Sequence, residues 1–197
     1  MKDLIIEMEE YAKENNVPII QKDSIIYIMR YIKSHNIKNI LEIGSAIGYS
    51  AILMASSAED INVTTIERDE TRYMECLKNI KKCNLDKKIT VVYQDALEVN
   101  LTGVSYDLIF IDAAKGQNVK FFEKYKNFLV PGGTIITDNI NFHGYVGHSN
   151  EIESKNLREL VTKIENYIVF LKNNNEFTTE FLSIGDGLSV SKKNDAN

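Results

Sequence analysis

The 197-residue chain has no tryptophan, two prolines, two cysteines and three histidines, and its formal net charge is −5. Each shortage excludes something. Two cysteines, Cys76 and Cys83, cannot build a disulfide framework, and no Cys or His partners at ligand spacing surround them. They lie in one helical pattern and are expected to pack, not react. A balance of 23 Lys+Arg against 28 Asp+Glu excludes tight binding of nucleic acid through bulk basic charge. No apolar run approaches the roughly 18 residues of a membrane span, and the acidic start MKDLIIEMEEYAKENN is not a basic-then-apolar leader. The expectation is a cytoplasmic protein without a membrane partner. With 44% hydrophobic residues the chain can bury one sizeable core, so residues 1–197 are expected to form a single domain.

The order of patterns gives the fold class. Two helices, about 2–15 and 22–35, flank Val17-Pro18-Ile19-Ile20, where proline disfavours helix in the residue before it. From Lys38 onward, apolar runs at 38–43, 62–67, 89–94, 106–112 and 133–138 alternate with amphipathic segments near 48–58, 70–83 and 117–128. Such alternation is the mark of βαβ units around a mostly parallel sheet. A further helix is expected at about 150–173. Runs 177–184 and 187–192 around Gly185-Asp186 read as an antiparallel hairpin, and Asn194 to Asn197 as a free tail. The class is therefore α/β, a Rossmann-like sheet with helices on both faces. Residues 1–36 stand before the core of 37–192.

The chemistry lies where strands end. Leu41-Glu42-Ile43-Gly44-Ser45-Ala46-Ile47-Gly48-Tyr49-Ser50 puts glycines at the first strand–helix turn, where backbone can approach a ligand closely. The loop fails the G-x-G-x-x-G pattern, because Ala46 and Tyr49 occupy its second and third glycine positions, and it lacks the Gly-Lys-Ser/Thr ending of a Walker loop. An acid two residues before G-x-x-x-G suits a ligand with an amino group and no phosphate, as S-adenosylmethionine (SAM) is. Glu67 ends the second strand, where a carboxylate can accept from both ribose hydroxyls. Asp95-Ala96 ends the third, where the acid can accept the adenine amino proton while alanine leaves room for the ring. One such acid alone would read as a solvated loop residue; at successive strand ends they surround the crevice in which open α/β sheets bind ligands.

The fourth strand runs into Asp112-Ala113-Ala114-Lys115 and the fifth into Asp138-Asn139. Two carboxylates and an amide carbonyl, completed by water, make a hard oxygen site suited to Mg²⁺, whereas zinc or copper would want His or Cys. The plainer alternative is that these residues cap their loops. Lys115, three residues after Asp112, is a candidate base, since desolvation near a cation lowers an ammonium pKa. His143 is a rival base or substrate contact, and one loop histidine is by itself insufficient to enter the site.

LEIGSAIGYS, TIERD, QDA, YDLIFIDAAK and TDN, in this order, resemble the cation-dependent SAM O-methyltransferases of the catechol and caffeoyl-CoA group, over Val17 to Lys192. The resemblance implies a class I methyltransferase fold, seven-stranded and mostly parallel with an antiparallel C-terminal hairpin. It places Glu42, Gly44 and Ser50 along the methionine part of SAM, Glu67 at the ribose and Asp95-Ala96 at the adenine. Asp112, which touches both ligands, would join Asp138 and Asn139 in holding Mg²⁺, with Lys115 as base. Val17–Ile20 resembles the family's cofactor lid, with Ile20 on SAM. The short N-terminus and the ending IGDGLSVSKK look most like small bacterial members that methylate 5-hydroxyuridine at the tRNA wobble position. Three functions follow as expectations: that tRNA methylation, methylation of small catechols or phenols, and a SAM-binding module without catalysis. Family resemblance also implies a homodimer, for which Leu4, Ile5, Met8, Ile25, Ile28, Met29 and Ile32 offer apolar surface that could equally pack on its own domain. Basic residues outnumber acidic ones in 68–90 and 115–126, so a modest salt-sensitive tRNA contact is compatible with the overall charge.

Overall fold

The computed structural model describes residues 1–195. Helices α1 (Lys2–Glu14) and α2 (Lys22–Ser34) precede β1 (Asn39–Ile43), α3 (Tyr49–Ala55), β2 (Asn62–Glu67), α4 (Glu70–Lys82) and β3 (Ile89–Tyr93). Then come β4 (Tyr106–Ile111), α5 (Asn118–Tyr125), β5 (Leu129–Asp138), α6 (Lys155–Lys172), β6 (Phe177–Leu182) and β7 (Leu188–Lys193). The seven strands form one sheet in the order β3-β2-β1-β4-β5-β7-β6. β1 to β5 are parallel, and β7 runs antiparallel between β5 and β6. The expected fold class is the observed one.

Period-two alternation along the strands builds two apolar layers. Ile40, Leu108, Phe110 and Ile136 point to the side where α1, α2, α3 and α4 pack, whereas Leu41, Ile43, Ile109, Ile111 and Ile135 point to α5 and α6. Glu42, between Leu41 and Ile43, therefore faces the α3 side. The seven apolar residues of α1 and α2 that offered surface for a second copy pack on this core: Met8, Ile25, Ile28 and Ile32 are buried, and Leu4, Ile5 and Met29 are partly buried against it. Cys76 and Cys83 are both buried and free. Burial pushes the Cys76 thiol up to about 12 and raises that of Cys83, so neither forms a ready nucleophile.

Several boundaries differ from the sequence pattern for local reasons. α3 ends at Ala55, three residues early, because its polar continuation Ser56-Ser57 turns back: both hydroxyls donate to backbone carbonyls of the last turn. α6 starts at Lys155 instead of about 150, with Ser154 Oγ accepting from Leu157 N as its cap. The amphipathic stretch 117–128 is an α-helix only over Asn118–Tyr125, flanked by 3₁₀ turns at Lys115–Gln117 and Lys126–Phe128. β5 begins at Leu129, four residues early, carrying Pro131 within it; a register shift between Tyr106 and Leu108 of β4 absorbs the irregularity. The expected free tail does not begin at Asn194. Asn194 is tied back by bonds to Glu176 O, Asn175 O and Thr178 Oγ1, and the last two residues of the expected tail lie outside the described residues. Among the described residues no helix is long and apolar enough to cross a membrane.

Candidate active site

The strand order reverses between β1 and β4, the switch point at which open α/β sheets bind ligands. A cavity of about 500 Å³ opens there at the carboxyl ends of the parallel strands. Gly44 (φ +97°) turns the chain out of β1 so tightly that a Cβ would run into the Asp112 carbonyl oxygen; only glycine fits. Gly48 (φ +84°) starts α3 where a Cβ would lie 2.8 Å from Cys76 Sγ, which gives that cysteine its packing role. The glycine spacing thus brings β1, α4 and the end of β4 into contact.

Ile20, Gly44, Ser50, Glu67, Asp95 and Ala96 all line this cavity, as do Asp112, Lys115 and Asn139. Glu42 does not. It is wholly buried one layer behind, accepting hydrogen bonds from Ser50 Oγ and, at 2.5 Å, Thr65 Oγ1, so it reaches the cavity through Ser50 and not directly as expected. Burial pushes its carboxyl up to about 7 against the opposing effect of those two hydrogen bonds.

Glu67 is the most firmly held acid. Its Oε2 accepts from Ala46 N and its Oε1 from Arg68 N and Asp69 N, each at 2.9 Å. Three backbone donors fix the carboxylate plane toward the cavity without a cation. Asp95 accepts from Leu97 N at 2.9 Å and Arg68 Nη1 at 3.0 Å, and the first of these with the guanidinium holds its carboxyl below the ordinary range. Ala96 stays in place because its carbonyl accepts from Tyr125 OH at 2.5 Å and Lys124 Nζ at 3.0 Å.

At the other end of the cavity, Lys115 Nζ lies 2.5 Å from Asp112 Oδ1, with both side chains mostly buried. Asp138, at the end of β5, is like Glu42 outside the cavity lining: it is 1% exposed, and neither carboxylate oxygen has a hydrogen-bond partner. Burial, reinforced by the charge of Asp112, pushes its carboxyl up against the smaller opposing effects of Lys115 and of the nearby Asn139 N–H, which does not reach hydrogen-bond geometry. A buried carboxylate without donors calls for a proton or a cation. Asn139 follows in the left-handed region (φ +59°), which turns its side chain out of the strand alternation. No group of three His, Cys, Asp or Glu side chains converges among the described residues, so a metal here would rest on two carboxylates and an amide oxygen. That donor set fits a hard divalent cation.

A family model described as O-methyltransferase matches residues 2–194. The chain belongs to the O-methyltransferase family. A Staphylococcus aureus crystal structure, named as a candidate caffeoyl-CoA O-methyltransferase, superposes with a TM-score of 0.92 at 42% identity, covering 96% of this chain and 91% of that one. A caffeoyl-CoA O-methyltransferase of Populus kitakamiensis is 27% identical over 85% of this chain and 74% of its own. A Bacillus cereus O-methyltransferase in complex with SAH, at 24% identity, shares the fold with a TM-score of 0.85 over 97% and 90% of the two chains. The protein is thus an O-methyltransferase.

The cavity of this O-methyltransferase also has residues in and behind its wall that strand-end acids do not announce. Tyr49 lines the cavity and donates its hydroxyl to Glu9 Oε1 of α1 at 2.8 Å, while Glu9 Oε2 pairs with Lys22 at 2.7 Å just after the Val17–Ile20 segment. His143, set aside as a lone loop histidine, stands on the cavity wall. Behind it is Asp186, from the hairpin turn. The only signal for either was their chain position beside Asn139 and Gly185, which spacing alone does not interpret.

Proposed function

We propose that this O-methyltransferase transfers the SAM methyl group, with the help of a divalent cation such as Mg²⁺, to one hydroxyl of a substrate bearing two neighbouring oxygens. The observation that carries the reading is Asp138: a buried carboxylate whose oxygens have no hydrogen-bond partner, next in sequence to Asn139, which together with Asp112 lines a cavity whose other end suits an adenosine. In this reading Glu67 accepts from the ribose hydroxyls and Asp95, beside Ala96, from the adenine amine. Gly44 and Ser50, backed by Glu42, bound the methionine part, and Ile20 covers it. Asp112, Asp138 and Asn139 would hold the cation, which when bound supplies Lewis acidity to a coordinated hydroxyl. Lys115, at the cavity wall and in reach of Asp112, takes the hydroxyl proton once its own ammonium proton has passed to solvent; the oxygen then bonds to the methyl carbon as the carbon–sulfur bond breaks, leaving S-adenosylhomocysteine.

For the substrate, the 5-hydroxyl and O4 of 5-hydroxyuridine at the tRNA wobble position form the required vicinal oxygen pair, and methylation gives 5-methoxyuridine. An unstacked anticodon base can reach a pocket that a duplex base cannot. Small catechols present the same oxygen pair, and the Populus relative, which is named for caffeoyl-CoA, favours that second reading. The two are separated by transfer of labelled methyl from SAM to hypomodified tRNA and to free catechol in parallel. We expect salt-sensitive labelling of tRNA well above that of catechol; efficient catechol methylation with unlabelled tRNA would reverse the order.

A further inference from the structure

The hairpin turn Gly185-Asp186-Gly187 lies at the same end of the sheet as the site, because β7 runs antiparallel to β5 and Leu188 pairs with Asp138. It is stitched to the loop after β5. Ile140 N donates to Gly187 O at 3.1 Å, and Asn141 N to Asp186 O at 2.9 Å. Asp186, 4% exposed, accepts from His143 N on Oδ1 at 2.6 Å, while its Oδ2 stands 3.5 Å from Asn139 Nδ2 and 3.4 Å from His143 Nδ1. The loop it braces is strained, with Asn139, Phe142 and His143 all at positive φ. Gly187 is needed for so close an approach: a Cβ there would lie 2.9 Å from Asn141 N.

We propose that Asp186 is a positioning residue that fixes the Asn139 amide with its oxygen turned toward Asp112 and Asp138. An ionised carboxylate only accepts hydrogen bonds, so the Asn139 group facing it must be the NH₂, which leaves Oδ1 for the cation. The same carboxylate anchors His143 to the cavity wall through its backbone N–H. Outer partners of this kind set ligand orientation, and their loss costs roughly 10- to 100-fold in metal affinity. This inference rests on the divalent-cation reading above.

The test is Asp186→Asn, which keeps an acceptor for His143 N and nearly the same volume but turns a donor toward Asn139. Binding of Mn²⁺ alone, followed by its electron paramagnetic resonance signal, is expected to weaken about 10-fold or more, with SAM affinity by calorimetry and Tm close to wild type. In the double variant Asp186→Asn/Asn139→Asp the new carboxylate accepts from the new amide, and Mn²⁺ affinity is expected to recover. Unchanged Mn²⁺ binding in Asp186→Asn, or parallel losses of Mn²⁺ binding, SAM binding and Tm, would overturn the positioning role. Wild-type protein that binds no Mn²⁺ would instead overturn the cation reading, and this inference with it.

Discussion

Lys115 Nζ and Asp112 Oδ1 meet at 2.5 Å in the cavity wall, which pairs the proposed base with one proposed cation ligand. Asp138 shares that neighbourhood without a hydrogen-bond partner. In the proposed function the lysine thus has two roles, one electrostatic and one chemical. Its ammonium offsets repulsion between two carboxylates until a cation takes over that task.

Lys115→Met should separate the two roles. Without the ammonium the cation-free protein is expected to melt at a lower temperature, and added Mg²⁺ should raise Tm more than it does for wild type. Methyl transfer is expected to fall about 100- to 10,000-fold, the usual scale for losing a general base. Thermal shift with and without Mg²⁺, alongside turnover, checks both. A Mg²⁺-induced shift no larger than that of wild type would contradict the neutralising role.

Glu42 makes the stability of the cofactor-free protein depend on pH. Its carboxyl is raised by burial from 4.5 to about 7, so between those values the folded state binds more protons than the unfolded chain. Stability from this group is therefore present at pH 4.5 and declines as pH rises toward 7, by at most about 3 kcal/mol. Glu42→Gln, which cannot ionise, should flatten that part of the profile in urea unfolding between pH 4.5 and 7. A slope identical to wild type would show that Glu42 is not the group responsible.

Tyr49 couples α1 to the cofactor end of the cavity through Glu9, and Glu9 in turn reaches Lys22 beside Ile20. Tyr49→Phe keeps the ring and removes only the bond to Glu9. The expected result is a KM for SAM raised about three- to ten-fold with kcat within two-fold, since one hydrogen bond to an ionised group is worth roughly 1.5–3 kcal/mol before relaxation. A reduced kcat at unchanged KM would place the residue in the chemical step instead.

The parallel part of the site was legible because β1, β2, β3, β4 and β5 each deliver their functional residue at or just beyond the strand's carboxyl end, and a chain order of strand, loop and helix puts those ends together. Glu67, Asp95, Asp112 and Asn139 follow that rule and share one cavity. Glu42 shows its limit: the spacing places it near the loop, but pleat parity, invisible without the sheet, turns it toward Ser50 and Thr65 beneath the cavity. His143 and Asp186 escaped for a different reason. Their placement depends on β7 inserting between β5 and β6 and on a loop with successive positive φ angles, and neither leaves a periodic trace in sequence. The early start of β5 is of the same kind: the strand carries Pro131 by a shift in register against β4, which only the paired sheet shows.

The central claim is that Asp138 and Asn139 act through a divalent cation and not through SAM. Labelled methyl transfer from SAM, measured for wild type with and without chelator and for Asp138→Ala and Asn139→Ala, tests it most directly when paired with calorimetric SAM binding on the same samples. The account predicts that chelation and each substitution reduce transfer at least 100-fold, that Mg²⁺ restores the chelated wild type, and that SAM affinity stays within about three-fold throughout. Full turnover by both variants in the presence of chelator would contradict it.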